Sequence, residues 1–297
     1  MKLPYYLVDV FASGPFSGNP LAVIDATTVG DQPRNDGDRP LSTEQMLRIA
    51  NWMNLSETTF LFAPSDPAAD YRVRIFTPAG ELPFAGHPTL GTAQAWRQRE
   101  SDNPKSTIVQ QCEAGLVSVQ GDGDQMAFAA PPLTRSGPLE PALFDDVCQQ
   151  LGVDPEAVVD AAWIANGPNW IGVLLASTDE VAAVAPTALE SSIGVIGLYS
   201  PGHEYAYEVR AFFPVNGMAA EDPATGSLNA SAAQWLIGQG RVTPPYRVSQ
   251  GQHRGRNGVI SISTTPASED VTAGSSSEPT IWVGGRAVIT AEGVIQL

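Results

Sequence analysis

The chain has 297 residues, of which 43% are hydrophobic and 16% charged, so it carries enough apolar side chains for a folded core. Its formal net charge of −16 argues against nucleic acid or an anionic membrane as the main partner. A small anionic substrate stays compatible with that charge, because one site can be locally positive on an acidic protein.

Two further features bear on where the protein works. The sequence contains no apolar run of about 18 residues, which a membrane-spanning helix would need, and its N-terminus lacks a signal-peptide core. Two cysteines, Cys112 and Cys148, show neither a disulfide framework nor metal-ligand spacing and fit a reducing cytosol. We therefore expect a cytoplasmic protein.

The first half of the chain alternates strand-like and helix-like segments. The predicted elements are a hairpin of 5–11 and 21–24, a helix from a capping-box Ser42 to about Trp52, strands at 57–62, 71–76, 107–111 and 116–120, and an alanine-rich helix at 89–97 with Pro88 at its start.

The second half repeats this order after a proline-rich linker at 129–132. The predicted elements are a helix at 143–151, a hairpin within 163–174, a strand at 205–213, an alanine-rich helix at 228–238, and closing strands near Arg247 and at 259–263, 281–283 and 287–289. We expect an N-terminal half at 1–128, completed by a C-terminal strand at 285–297, and a C-terminal half at 133–284.

Two stretches of the chain look like copies of one site. Arg-x-Phe-x-Pro begins at Arg74 and occurs again from Arg210. In each copy a glycine pair follows and then a glutamine at the same spacing: Gly86-His87 with Gln94, and Gly226-Ser227 with Gln234. The repeat predicts a pseudo-twofold protein whose two halves aim a helix N-terminus at a shared cleft, which suits binding of an anion.

Both alanine-rich helices consist mostly of small residues. Such a helix fits inside a strongly curved sheet, where an ordinary amphipathic helix would not. A buried helix N-terminus needs partners for its free N–H groups, and a bound carboxylate would supply them. The alternative is an ordinary buried helix capped by Thr or Asp.

Three residues are candidates for acid/base chemistry. Glu57, beside Ser56, precedes an apolar strand, and burial there would suit it to proton transfer. His87 lies at a helix start, where the helix dipole disfavours protonation and a neutral imidazole can relay a proton. Asp222, before Pro223, either caps a turn or faces His87 or a substrate ammonium.

Each candidate also has a simpler interpretation. Glu57 would be a solvated glutamate at a helix end or a strand edge, and His87 a capping or exposed histidine. The three histidines of the chain do not form a metal set, and Arg74 and Arg210 are interpreted as tethers of the loops that follow them.

Several motifs in the same order resemble the PhzF-type phenazine-biosynthesis family, and together they cover essentially the whole chain. They are Tyr6-Leu-Val-Asp-Val-Phe11, Gly18-Asn-Pro-Leu-Ala-Val23, Ser56-Glu-Thr-Thr-Phe60, Glu81-Leu-Pro-Phe-Ala-Gly-His-Pro-Thr89, Glu221-Asp-Pro-Ala-Thr-Gly-Ser227, Gln250-Gly251, Arg256-Asn-Gly258 and Val283-Gly-Gly285. The resemblance implies an α+β fold of the diaminopimelate-epimerase-like type, in which two pseudo-symmetric halves each wrap a barrel-like mixed or antiparallel sheet around a central helix.

The resemblance also implies site roles. Glu57 matches the acid/base glutamate of the family, His87 its site histidine, Asp222 its site aspartate and Ser227 its helix-start serine. We expect Glu57, His87 and Asp222 to be catalytic, and the following residues to bind substrate: Ser56, Gly86, Thr225, Gly226 and Ser227. The characterised family reaction is isomerisation of trans-2,3-dihydro-3-hydroxyanthranilate, without a metal or an organic cofactor, and the family implies a homodimer.

Related epimerases and racemases carry a cysteine at each helix start, whereas this chain has His87 and Ser227 near those places. That difference disfavours a two-thiol racemase mechanism. We therefore expect a cofactor-independent isomerase that moves a proton on a small, amino-acid-like carboxylate. The alternatives are an isomerase or epimerase of an unrelated small acid, and a non-catalytic binder of small molecules on the same scaffold.

Overall fold

The computed structural model describes residues 2–30, 41–100, 105–266 and 279–297. The chain divides into two compact units, one comprising Met1–Phe128 with Gly284–Leu297 and the other Ala129–Val283.

The elements alternate along the chain as follows. The first half contains β1 (Lys2–Val10), β2 (Asn19–Asp25), α1 (Thr43–Met53), β3 (Thr58–Phe62), β4 (Tyr71–Phe76), β5 (Glu81–Leu82), α2 (Gly86–Arg99), β6 (Thr107–Cys112), β7 (Gly115–Asp122) and β8 (Gln125–Ala129). The second half contains β9 (Arg135–Pro138), α3 (Pro141–Leu151), β10 (Val158–Ala165), β11 (Trp170–Leu175), α4 (Thr178–Ala183), β12 (Ser192–Leu198), β13 (Tyr207–Val215), β14 (Met218–Asp222), α5 (Gly226–Gly238), β15 (Tyr246–Gln250), β16 (Gly258–Thr265) and β17 (Thr280–Gln296).

The sheet of the first unit closes on itself. Its strands pair in the order β17, β1, β2, β3, β4, β6, β7 and β8, and β8 returns to β17, while β5 extends the sheet from β4. The β2–β3 and β4–β6 pairs are parallel. The result is an eight-stranded barrel, and α2 packs against six of its strands, β1, β2, β3, β4, β6 and β7.

The second unit repeats this strand order. Its strands pair in the order β9, β10, β11, β12, β13, β15 and β16, with β14 extending from β13. The parallel pairs are β11–β12 and β13–β15, the counterparts of the parallel pairs in the first unit. Because α5 packs against β10, β11 and β16, the predicted α+β class, a barrel-like sheet around a central helix in each half, is confirmed.

Helix composition follows from where each helix packs. On α1, Met46, Ile49 and Ala50 form one buried stripe, which packs on the outside of the sheet in the way usual for an amphipathic helix. In contrast, α2 and α5 are buried around most of their circumference. The space is tight, since a Cβ added at Gly91 of α2 would lie 2.5 Å from the Leu21 side chain of β2. Small residues let the inner helix and the barrel approach this closely.

The structure differs from the sequence prediction in several elements. Both inner helices begin earlier than expected, at Gly86 and Gly226, and the sequence does not predict β5, β8, β9, β12, β14 or α4. Two glycines interrupt the apolar pattern of β12, which hides it. The predicted strands at 281–283 and 287–289 are one continuous β17, because the glycines between them continue the strand rather than ending it.

Each unit holds its β-loop-helix segment with a largely buried arginine–glutamate pair. Arg74 donates from Nε and Nη2 to the two carboxylate oxygens of Glu81 at 2.7 and 2.6 Å, and Arg210 does the same to Glu221 at 2.9 Å for both bonds. The interval from Glu81 to Glu221 equals that from Gly86 to Gly226, so both glutamates belong to the same repeat as the helix starts. The two arginines therefore act as the tethers that the sequence predicted.

We expect Arg210→Met to lower the free energy of unfolding by about 3–5 kcal/mol, because it strands a buried carboxylate. Arg210 also donates to the carbonyls of Val181, Ala182 and Val184, which would lose this partner. Urea unfolding followed by tryptophan fluorescence measures the change.

The matched control is Arg48→Met, which removes an exposed pair with Glu44 on α1 and should cost no more than about 1 kcal/mol. Equal stabilities of the two variants would show that Arg210 is not a structural tether.

Candidate active site

The two inner helices begin without a side-chain cap. The N-cap residues are Ala85 for α2 and Thr225 for α5, and neither side chain bonds to its helix start. The interpretation of these helices as ordinary ones capped by Thr or Asp is therefore wrong. The N–H groups of Gly86 and His87 have no partner within the helix, and the next residue, Pro88, has no N–H. Such a helix start attracts an anion.

Three elements bring polar side chains to the start of α2. Helix α1 ends at Met53, its C-cap Asn54 has the left-handed conformation, and the chain then reaches Glu57 directly before β3. Strand β3 pairs in parallel with β2, which begins at Asn19. Before Asn19, the loop is fixed by the Asp9 carboxylate, which accepts from the backbone N–H groups of Ser17 and Gly18 at 3.0 and 2.9 Å.

Only glycine fits at the turn before Asn19. A Cβ at Gly18 would lie 2.1 Å from the carbonyl oxygen of Val10. The close approach of these two backbones sets the position at which Asn19 enters β2, and hence the distance of its amide from α2.

Glu57 and His87 face each other in a nearly dry environment. Glu57 Oε2 lies 3.4 Å from His87 Nε2, and the side chains are 16% and 4% exposed. On the other side of the ring, Asn19 Nδ2 lies 3.5 Å from His87 Nδ1, and Asn19 is fully buried. The structure thus brings together Glu57 and His87, two of the three predicted catalytic residues, and adds Asn19.

The imidazole of His87 is neutral at physiological pH. Desolvation by burial lowers the pKa of His87 from 6.5 to about 3. Neutrality was expected from the helix dipole, but the cause that the structure identifies is burial. A neutral imidazole carries one N–H and one acceptor nitrogen, so it can donate one hydrogen bond and accept another.

The start of α5 has a different side chain and a different partner. Ser227 Oγ accepts a hydrogen bond from Trp170 Nε1 at 3.1 Å, and the Ser227 carbonyl accepts from Asn166 Nδ2 at 2.9 Å. Trp170 is the first residue of β11, as Asn19 is the first residue of β2. In each unit, the side chain at the start of the inner helix therefore contacts the first residue of the hairpin's second strand.

Asp222 and Thr225 form a short buried network with Gln250. Thr225 Oγ1 donates to Asp222 Oδ2 at 2.7 Å and accepts from Gln250 Nε2 at 2.9 Å. Gln250 Oε1 accepts from the Thr225 backbone N–H at 3.0 Å and from Asn229 Nδ2 at 2.9 Å. These bonds fix the loop before α5 and the Asp222 carboxylate, which is 8% exposed.

Sequence reasoning assigned no role to Asn19, Trp170 or Gln250. Gln250 had a readable signal, because it is the repeat counterpart of Gln110, which donates to Thr89 of α2 at 2.9 Å. Asn19 and Trp170 had none, because they differ in type and are related only by their position at the start of a strand.

Within the ranges that the structure describes, no group of three or more His, Cys, Asp or Glu side chains is arranged to hold a metal ion. None of the described helices is long and apolar enough to cross a membrane.

The neutrality of His87 predicts a specific pH dependence of stability. The unfolded chain protonates this histidine below about pH 6.5, whereas the folded chain stays neutral until about pH 3. Unfolding is therefore favoured progressively as the pH falls between these values. Between pH 7 and pH 5, wild type should lose about 2 kcal/mol more than His87→Gln, which lacks this group.

Urea unfolding of both proteins at the two pH values measures the difference. Parallel loss in the two proteins would mean that His87 titrates normally in the folded state and is not buried as described.

Comparison with known proteins identifies the family. A family model for phenazine biosynthesis-like proteins matches residues 8–293. Antisense-enhancing sequence 1 of Schizosaccharomyces pombe is 34% identical, with 94% of each chain covered. The trans-2,3-dihydro-3-hydroxyanthranilate isomerase of Pseudomonas fluorescens is 31% identical, with 99% of each chain covered, and further relatives matching nearly the whole chain are also named isomerases.

A solved structure shows the same fold. A Bacillus anthracis protein of the PhzF family superposes with a TM-score of 0.78 at 22% identity and covers 100% of both chains. With the family model spanning nearly every residue and isomerases among the full-length relatives, the chain belongs to the phenazine biosynthesis-like protein family.

Proposed function

We propose that this isomerase moves a proton on a small, amino-acid-like carboxylate, with Glu57 as the acid/base group. The observation that carries the proposal is the close pair of Glu57 Oε2 and neutral His87 Nε2, 3.4 Å apart at an uncapped helix start. A carboxylate base, a neutral donor and backbone N–H groups at a helix start are the parts that proton abstraction next to a carboxylate requires.

Substrate binding is assigned to the helix starts. The substrate carboxylate would accept hydrogen bonds from the N–H groups at Gly86 and His87, with Gly226 and Ser227 as the corresponding groups of α5. Ser56, next to Glu57, is also proposed to contact the substrate. The internal bonds of Thr225 favour a positioning role for its hydroxyl, namely holding Asp222, over direct contact with substrate.

The reaction is a balanced proton shift. Glu57, as the carboxylate, takes the proton from one carbon of the substrate, and the electron pair of that C–H bond moves into the conjugated system. The carboxylic acid then returns a proton to another carbon. His87 holds the amino or hydroxyl substituent so that the reacting C–H bond is acidic, and the catalytic role of Asp222 stays a prediction.

For the identity of the substrate, we rely on the Pseudomonas fluorescens relative, whose name gives trans-2,3-dihydro-3-hydroxyanthranilate as its substrate. A cyclic amino acid of this kind would present its carboxylate to the start of α2. An unrelated small acid remains the second candidate substrate. The groups proposed to bind the carboxylate are backbone N–H groups, which do not discriminate between substrates that differ elsewhere. A homodimer also stays a prediction for the assembly.

We expect Glu57→Gln to reduce turnover by at least about 10²-fold, since the amide cannot accept the proton. The assay follows deuterium wash-in by NMR in D₂O, first with trans-2,3-dihydro-3-hydroxyanthranilate and then with a panel of cyclic and acyclic amino acids. Glu44→Gln, which changes an exposed carboxylate on α1, is the matched control and should keep wild-type exchange.

Four outcomes separate the candidates. Exchange on the cyclic substrate that depends on Glu57 supports the proposal, and exchange only on another acid selects the second candidate. Full turnover by Glu57→Gln would remove Glu57 from its role. Ligand binding without exchange or product formation on any compound would favour a non-catalytic binder.

A further inference from the structure

The first residue of β2 and the first residue of β11 each contact the side chain at the start of the inner helix of their own unit. Asn19 begins β2 and pairs across the hairpin with Val10, and Trp170 begins β11. Both are buried, with exposures of 0% and 4%. Each side chain points a nitrogen at the first turn of the inner helix of its own unit, so the two residues perform one geometric task with different chemistry.

We propose that Asn19 and Trp170 are positioning residues that make His87 and Ser227 hydrogen-bond donors towards the ligand, so that neither is a base. The inference rests on the proposed function for its catalytic meaning, but its physical content concerns the free protein. Nothing in the sequence motifs or the named relatives assigns this role to either residue.

At α2, the direction follows from the amide group. The Asn19 Nδ2 group carries two protons and no acceptor lone pair, so His87 Nδ1, at 3.5 Å, must accept. A neutral imidazole with an accepting Nδ1 carries its proton on Nε2. Among the described residues Nε2 makes no hydrogen bond, although Glu57 Oε2 lies 3.4 Å away, so its proton is available to a ligand.

At α5, the direction follows from the indole. Trp170 Nε1 can only donate, so Ser227 Oγ, at 3.1 Å, accepts. The hydroxyl proton then points away from the indole and is available to a ligand oxygen. Trp170 Nε1 cannot accept the hydroxyl proton of Ser227. It therefore cannot act as a base that activates Ser227 as a nucleophile.

The first test reads the tautomer of His87 without substrate. Long-range ¹H–¹⁵N correlation spectra of ¹⁵N-histidine-labelled protein distinguish a protonated from an unprotonated ring nitrogen, and His87 is assigned by loss of its signals in His87→Gln. We expect the Nε2–H tautomer in wild type. In Asn19→Leu the preference should be lost, and in Asn19→Asp the proton should move to Nδ1, next to the new carboxylate.

The matched control is Asn51→Leu, which changes an exposed asparagine on α1 and should leave the tautomer of His87 unchanged. An Nδ1–H tautomer in wild type overturns the inference for α2 even if neither Asn19 variant folds. An unchanged tautomer in both Asn19 variants overturns it as well.

The second test reads the indole of Trp170. The six tryptophan indole N–H signals are resolved by ¹H–¹⁵N correlation and assigned by single Trp→Phe changes. In Ser227→Ala the Trp170 signal should shift upfield and exchange faster with solvent. Ser231→Ala, whose hydroxyl donates to the carbonyl of Ser227, should leave it unchanged. A Trp170 signal unaffected by Ser227→Ala overturns the inference for α5.

Both tests are independent of catalysis. If no compound shows exchange or product formation but the tautomer and indole signals behave as described, the proposed function fails and this inference stands. If exchange depends on Glu57 but the tautomer is Nδ1–H, the proposed function stands and the inference fails.

Discussion

The constraint on which the structure depends is the burial of a helix N-terminus that no side chain caps. A helix enclosed by a barrel exposes little of its surface to water, so its first N–H groups depend on what the surrounding strands and loops supply. At α2 the neighbours are Asn19, Glu57 and the ring of His87, with the N–H groups of Gly86 and His87 left for an anion. The same burial keeps His87 neutral, because a charged ring would be desolvated.

The repeat provides the scaffold, and differences within it provide the chemistry. Both units share the parallel strand pairs, the inner helix of small residues and the arginine–glutamate tether. At the helix start one unit has His87 with Glu57, whereas the other has Ser227 with Trp170. A symmetric pair of bases would suit two-base racemisation. The carboxylate and the neutral imidazole of the first unit fit transfer by a single base.

Much of the fold was readable from the sequence, because it depends on local patterns. The capping box at Ser42, the alternating hairpins and the small-residue helices all predict the elements that form. Strand β12 and the unbroken β17 were not readable, since glycines inside a strand look like breaks until the packing that needs them is known.

The candidate site was partly readable for a similar reason. Glu57 and His87 lie in distinct motifs, and the packing of α2 against β3 brings them together. Asn19 and Trp170 could not be found, because their roles depend on a strand position and a through-space distance rather than on residue type. The cause of the low pKa of His87 is likewise a property of burial, which a sequence does not display.

The central claim is that one carboxylate both removes and returns the proton. It is tested most directly by a single turnover in H₂O of substrate deuterated at the carbon that loses its hydrogen. A single base carries the label across, so we expect a fraction of the product to hold deuterium at the carbon that gains hydrogen. Complete loss of the label in single turnovers at every pH would contradict the account and indicate a second, solvent-exchanging group.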